Sequence, residues 1–434
     1  MNIAICTGFR DDDEAYSICN VANDQIKMFV DNGYKLKVLV TKGFVPTRNF
    51  AHPNVTICEM PDQTRQNTIT VDAAFNEDVE ALYISMEEHL KDVDIVLTHD
   101  LVYQPGDLKH NIALRRYAEN HKIRFLHWIH SATSPYKLVD LMGIFPEKYK
   151  EVVGKRFPNS YYIFFNYWSK PRIESAYNVG EEEVKIIHHP TDYMKFAKFH
   201  PISVKIVNAR KLLEKDHIIV YPARLDTGKQ LEYPIKLIAS LKRLGRSVQF
   251  IACDFHSSSD DPKDPKLIYR NELKKIAGEW GLTPEDYLFT SEFMPELKVR
   301  VPSEVVSDLF DISNIFFMSS GSESYSLVTQ EAAMKGNLLI LNRNFPPFTE
   351  IFGEDNLLFP CQSGVQIMDR IEGETSTKFS DEKEAYLTLA KQVEANLATK
   401  QYKTRRKLLK ERTPEYIFKN ELEPLLFQIM EKYA

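Results

Sequence analysis

Asn2-Ile-Ala-Ile-Cys6 is a short apolar run. A helical stripe of Ile18, Ala22, Ile26, Phe29 and Val30 follows it, then a stop at Gly33 and a second apolar run, Leu36-Lys-Val-Leu-Val40. Strand, amphipathic helix and strand in that order make a βαβ unit, because the helix stripe can only be buried by folding back over the two strands. The alternation continues, with strands predicted at 55–58, 95–97, 125–129, 163–165 and 184–187 and helical patterns between them. Such strands read as near-continuous apolar runs, which predicts a mainly parallel sheet covered on both faces.

Between about 192 and 216 the alternation lapses into a mixed basic and aromatic stretch, where a linker is expected. A second strand series then runs through 217–223, 248–253, 287–289, 315–318 and 338–341, separated by helix patterns such as 272–280 and 305–312. Two doubly wound domains suit a chain of 434 residues, since single cores stop growing at roughly 250–300 residues. At the end, Thr413-Pro414 resembles a helix cap and first turn. Phe418, Leu422, Leu425, Leu426, Ile429, Met430 and Tyr433 recur on one face behind it.

The composition is 43% hydrophobic and 27% charged, that of a folded globular chain. A net charge of −6 provides no global positive field for nucleic acid or an anionic membrane, so neither partner is indicated. Cys6, Cys19, Cys58, Cys253 and Cys361 are scattered and lack a Cys-x-x-Cys pair, which disfavours zinc ribbons and a disulfide framework. With no signal-peptide pattern and no run of roughly 20 apolar residues, the expectation is a cytoplasmic protein.

Tandem α/β domains serve many enzymes, so motifs must decide. The chain has no Gly-x-Gly pair, no P-loop, no Gly-x-Ser-x-Gly and no His-Glu-x-x-His, which removes the anchors for dinucleotide, P-loop, esterase and zinc-protease chemistry. What stands instead is Phe316-Phe-Met-Ser-Ser-Gly-Ser-Glu-Ser-Tyr-Ser-Leu-Val-Thr-Gln-Glu-Ala-Ala-Met-Lys-Gly336: a strand, a turn of small residues holding Glu323, and a helix holding Glu331. The backbone N–H groups of Ser324, Tyr325, Ser326 and Leu327 open that helix, a position that favours a bound phosphate. About a hundred residues upstream, Ile218-Ile-Val-Tyr221 leads into Pro-Ala-Arg-Leu-Asp-Thr-Gly-Lys229, which puts Arg224 and Lys229 at a strand's carboxyl end.

These segments resemble the glycosyltransferase family 4 group of retaining enzymes, whose signature is Glu, seven residues, then Glu. The resemblance implies the GT-B fold, two Rossmann-like doubly wound domains facing across a cleft. The acceptor domain would be 1–195, the nucleotide-sugar donor domain 196–405, and a terminal helix, 406–434, would return to the first domain. It implies transfer of a hexose-like sugar from a nucleotide diphosphate sugar, with no metal and no further cofactor. Glu323 would contact the sugar hydroxyls and Glu331 the ribose, while Arg224 and Lys229 would neutralise the diphosphate leaving group. The family often has glycines after the first Glu, where Ser324 and Ser326 stand here.

A histidine near the donor sugar in related enzymes matches His130 in Arg124-Phe-Leu-His-Trp-Ile-His-Ser-Ala132, with His127 as the competing residue. Alternation sets His127 and Ile129 on one face and Trp128 and His130 on the other. Gly8 follows the first strand, where the family often has a glycine-rich loop toward the acceptor. The segments 167–172, 184–192 and 349–353 extend the resemblance over nearly the whole chain.

Plainer readings accompany several features. Asp11, Asp12, Asp13 and Glu14 read as a solvated acidic loop, and Lys400 to Arg412 as a solvated basic helix face. His188 and His189 read as structural or hinge residues, since neighbours on a strand point opposite ways. Tyr161 to Trp168 reads as a buried strand followed by packing residues. The acceptor is left open among saccharide, lipid, protein and modified nucleic acid base. The rival readings are a phosphorylase or epimerase on the same fold, and a non-catalytic nucleotide-sugar binder.

Overall fold

The computed structural model describes residues 1–61, 71–102, 104–130, 152, 155–255, 263–321, 323, 326–367, 370–375 and 377–432. They form two compact units, one of residues 1–191 with 412–434 and one of residues 192–411.

In the first unit the strands are β1 (Ile3–Cys6), β2 (Leu36–Thr41), β3 (Val55–Met60), β4 (Ile95–His99), β5 (Arg124–Trp128), β6 (Ser160–Phe164) and β7 (Val184–Ile186). Among the described residues they form one sheet in the order β3-β2-β1-β4-β5-β6-β7, with every neighbouring pair parallel. Alternate residues of β1 feed opposite cores: Ile3 and Ile5 pack with helix α1 (Ser17–Asp31), and Ala4 and Cys6 with α2 (Ala73–Leu90) and α3 (Leu108–Asn120). Burial on both faces explains why the strands read as apolar runs. Helix α4 (Lys170–Tyr177) precedes β7.

The terminal helix belongs to this unit. It runs as Pro414–Ile417, a π-helical turn Phe418–Leu422, and Glu423–Glu431. Ile417, Phe418, Leu422, Leu425, Leu426 and Ile429 join the α1 core, and the Phe418 ring meets Phe29 edge-on at 5.5 Å. From the π-helical turn, Glu421 accepts from the backbone N–H of His188 at 2.7 Å and lies 2.9 Å from its Nδ1.

The second unit holds α5 (Pro201–Arg210), β8 (His217–Arg224), α6 (Glu232–Arg243), β9 (Val248–Phe255), α7 (Pro265–Glu279), β10 (Tyr287–Phe289), α8 (Ser303–Ile312), β11 (Ile315–Met318), α9 (Leu327–Met334), β12 (Leu338–Asn342) and β13 (Leu357–Phe359). Its parallel sheet runs β10-β9-β8-β11-β12-β13. An antiparallel hairpin, β14 (Ser363–Ile367) with β15 (Arg370–Thr375), has no counterpart in the periodicity reading, and neither does β13. Helices α10 (Glu382–Leu397) and α11 (Lys400–Glu411) follow.

Three expectations are corrected. The stretch expected as a linker is folded: it contains α5 and supplies Phe199, Ile206, Val207, Leu212 and Leu213 to the second core. Its buried positions include the polar Ser203, so no apolar stripe betrayed the helix. The basic stretch is not a merely solvated face. In α11, Lys410 meets Asp216 at 3.2 Å, Arg405 donates to the carbonyl of Asp311, and Arg406 donates to the carbonyl of Leu212 at 3.2 Å. Burial pushes the Arg406 guanidinium down to about 10. Lastly, Tyr167 and Trp168 do not pack inward, each being 73% exposed.

Candidate active site

Both sheets reverse their strand order once, between β1 and β4 in the first and between β8 and β11 in the second. Helices leave toward opposite faces at such a reversal and open a crevice at the carboxyl ends of the strands, where ligands of doubly wound sheets bind. The residues singled out from the sequence fall largely at these two places.

In the second unit, β8 ends at Arg224 and its loop turns through Lys229 and Gln230, while β11 is followed by Ser319, Ser320, Gly321 and Glu323. The two loops interlock. Ser319 Oγ donates to the carbonyls of Lys229 and Gln230 at 3.0 and 2.9 Å, and Gln230 Nε2 donates to the carbonyl of Gln362 at 2.8 Å. Gly321 is demanded by this approach: a Cβ there would sit 2.8 Å from Gln230 Nε2 and 2.9 Å from the Gln362 carbonyl oxygen. The interlock places Lys229 Nζ on a carboxylate oxygen of Glu323, an ion pair whose side chains are 26% and 20% exposed.

Arg224 and Glu331 are not drawn into that pair. Arg224 is exposed and meets Asp226 at 3.5 Å. Glu331 is exposed on α9, where it lines a cavity of about 720 Å³ with Ser303, Glu304, Ser307, Met334 and Lys335. Lys229 lines a separate cavity of about 610 Å³ with Thr227, Gly228, Ser320, Gly321 and Gln362. Ser326 stands at the N-terminus of α9 with φ of 71°, the left-handed conformation that glycine adopts readily. Its hydroxyl lies 2.8 Å from that of Thr329. Leu327 is 68% exposed at the first position of the helix. Ser324 and Tyr325 lie outside the described residues.

Left-handed backbone in a residue other than glycine costs on the order of 1 kcal/mol or more and gathers at functional sites. Gln230 beside Lys229 (φ 53°) and Asp100 beside His99 (φ 54°) share this feature with Ser326. Asp254 is a buried structural residue that sequence reading missed. Fully buried at the end of β9, it accepts from Ser291 Oγ at 2.5 Å and from the Ser291 N–H at 2.9 Å, and so fixes the short helical turn Thr290–Phe293 that follows β10.

In the first unit the two histidine alternatives separate. His127 is fully buried, bonded to Thr98 Oγ1 at 2.8 Å and packed against Phe125 and Phe157. His130 is half-buried just past β5, with its backbone N–H donating to Asp100 at 3.0 Å. Its ring lies 3.1 Å from His99 and stacks near His189 at a centroid distance of 5.9 Å. Burial, with His189 adding to it, pushes His130 down to about 4, and burial with His188 does the same to His189. The sequence signal for His99 was a polar Thr98-His99-Asp100 run closing an apolar strand.

Gly8 lies two residues past β1, and a Cβ there would meet only ordinary contacts at 3.7 Å, so the fold itself does not require glycine. In the acidic loop Asp12 is a structural residue: Arg48 and Thr47 both donate to it. Burial raises its pKa, and the hydrogen bonds from Arg48, Thr47 and Cys19 outweigh that and leave it below the usual carboxylate range.

No family model matches the chain, and no curated protein matches it in sequence. Among solved structures it is similar to a glycosyltransferase from Rickettsia africae ESF-5, at 13% identity over 100% of both chains with a TM-score of 0.37. It is similar to HepE from Anabaena in complex with UDP, at 13% identity over 100% of this chain and 99% of that one, with a TM-score of 0.35. The sucrose-phosphate synthase of Thermosynechococcus elongatus matches at 14% identity over 100% and 98%, with a TM-score of 0.33. At these values the likeness assigns no role to any residue. Among the described residues, no helix is long and apolar enough to cross a membrane.

Proposed function

We propose that the chain is a retaining, metal-independent glycosyltransferase that moves a hexose-like sugar from a nucleotide diphosphate sugar, the second unit holding the donor and the first the acceptor. The observation that carries the reading is the meeting of Lys229 and Glu323 at the strand-order reversal of the second sheet, with Arg224 ahead of them and Glu331 eight residues beyond. A cation beside a carboxylate at a crevice suits a ligand whose anionic diphosphate is joined to a neutral polyhydroxyl group. The ammonium takes the phosphate oxygens and the carboxylate accepts from the hydroxyls.

In the reaction, the bond between the anomeric carbon and the phosphate oxygen breaks and its electron pair stays on the diphosphate. Lys229, with Arg224, stabilises that growing charge, an interaction stronger in the transition state than in the bound donor. The acceptor oxygen bonds to the same face of the anomeric carbon and its proton passes to the departing phosphate, so no protein nucleophile is required. Glu323 holds the sugar and Glu331 the ribose. Ser326 and Leu327, at the start of α9, offer backbone N–H groups to the diphosphate. His130 and Gly8 stand on the first unit, which takes the acceptor.

A thermal-shift panel of nucleoside diphosphates and their sugars tests donor binding. A ligand at a hundredfold its dissociation constant adds roughly 2.7 kcal/mol of stability. One nucleoside series should raise the midpoint in wild type and lose most of that rise in Lys229→Ala. An unmoved midpoint across the whole panel would sink the reading.

A further inference from the structure

The polar groups at the carboxyl end of the first sheet form a chain of hydrogen bonds that dictates a tautomer. Gln25 is buried on α1, and its Oε1 lies 3.0 Å from Nε2 of His99. Nδ1 of His99 lies 3.1 Å from Nε2 of His130. A carbonyl oxygen only accepts, so Nε2 of His99 carries the proton. Burial, then the neighbouring His130 and His189, hold His99 well below the ordinary histidine range, so its ring is neutral and its other nitrogen is bare. A bare Nδ1 must accept, and the proton between the two rings therefore sits on Nε2 of His130. His130 is itself neutral above about pH 4, which leaves its own Nδ1 bare. Among the described residues no hydrogen bond occupies that atom. The ring is held on its other sides by Phe165 at 5.4 Å and His189 at 5.9 Å.

We propose that Gln25 and His99 are positioning residues that hold His130 as its Nε2–H tautomer, leaving Nδ1 as a hydrogen-bond acceptor for a ligand hydroxyl. The inference rests on the glycosyltransferase reading for the identity of the ligand, but not for the tautomer. Its chemical content is a selectivity. An acceptor nitrogen takes a hydroxyl and rejects an analogue with fluorine or hydrogen in its place, because the nitrogen would then be desolvated without a partner. The opposite tautomer would instead donate, and would suit a ring or phosphate oxygen.

The test is a long-range proton–nitrogen correlation spectrum of the full chain carrying ring-labelled histidine, with His130 assigned by its loss in His130→Gln. At pH 7 the expected pattern for His130 is a protonated Nε2 and a bare Nδ1. In Gln25→Met, which removes the acceptor, the two nitrogen shifts of His130 should move toward each other as both tautomers become populated. In Gln25→Glu, which keeps an acceptor, they should stay apart. A wild-type His130 protonated on Nδ1, or a Gln25→Met spectrum unchanged at His130, would overturn the proposal. If Gln25→Met fails to fold, the wild-type tautomer decides alone. The two readings fail separately: the expected tautomer in a chain with no sugar transfer would leave the relay standing, and the wrong tautomer in an active enzyme would remove only the relay.

Discussion

At the carboxyl end of the first sheet the side chains linked in a chain, Gln25 to His99 to His130, are neutral. At the equivalent end of the second sheet they are ionic, with Lys229 on Glu323 and Arg224 on Asp226. Both ends sit at a strand-order reversal, so topology does not account for the contrast. Burial does. His99 is closed off from solvent and could carry a charge only at a high desolvation cost, whereas Lys229 and Glu323 remain partly open. A neutral acceptor suits a hydroxyl and a half-open cation suits a phosphate, the two kinds of group that the proposed reaction involves.

The contrast is broken most severely at the ionic end. Lys229→Ala should lower kcat/KM for sugar transfer by roughly 10²–10³-fold, the usual effect of removing one donor aimed at developing negative charge. Urea unfolding should change by less than about 1 kcal/mol, since a partly exposed ion pair contributes little to stability. Equal turnover in the variant would remove the leaving-group role.

The neutral end should betray itself in acid. His130 is displaced from 6.5 to about 4 in the folded chain, so its contribution to stability is complete above the unfolded value of 6.5 and is lost as pH falls through about 4. For this residue alone that amounts to roughly 3 kcal/mol at full acidification. Peptide-resolved hydrogen exchange at pH 7 and pH 4.5 should show protection falling around His99, His130 and His189, with less change around Lys229 and Glu323. Equal loss at both ends would blur the comparison.

Two smaller effects sharpen it. Gly321→Ala forces a methyl group against Gln230 and the Gln362 backbone, and should cost about 1–3 kcal/mol in unfolding experiments while lowering activity through the displaced Lys229 loop. Glu323→Gln frees Lys229 from its partner. Calorimetry should find nucleoside diphosphate bound up to roughly fivefold more tightly, the equivalent of about 1 kcal/mol for the lost pair, even as sugar transfer falls. Weaker nucleotide binding in that variant would mean that the ion pair is not in competition with the ligand.

Much of this was legible in the sequence for a physical reason. Strands buried on both faces of a parallel sheet must be apolar throughout, and 287–289 and 315–318 were read from that rule with the bounds the structure shows. The elements that escaped lack such a signature: α5 buries Ser203, β13 buries only Phe359 of its three residues, and the hairpin β14-β15 lies outside the parallel sheets. At the site, the order of Arg224, Lys229, Glu323 and Glu331 was visible because it lies along the chain. The Lys229–Glu323 contact, the Asp254–Ser291 contact and the Gln25–His99–His130 chain were not, because each joins residues 31 to 94 positions apart through packing that no local pattern records.

The central claim is that Lys229 and Glu323 serve a nucleotide-sugar donor. It is tested most directly by following nucleoside diphosphate release, and the anomeric configuration of the sugar product, when the donor found by thermal shift is supplied with a set of candidate acceptors. The account predicts release in wild type with the donor's configuration retained, and near-background release in Lys229→Ala. Inverted product, or release undiminished in the variant, would contradict it.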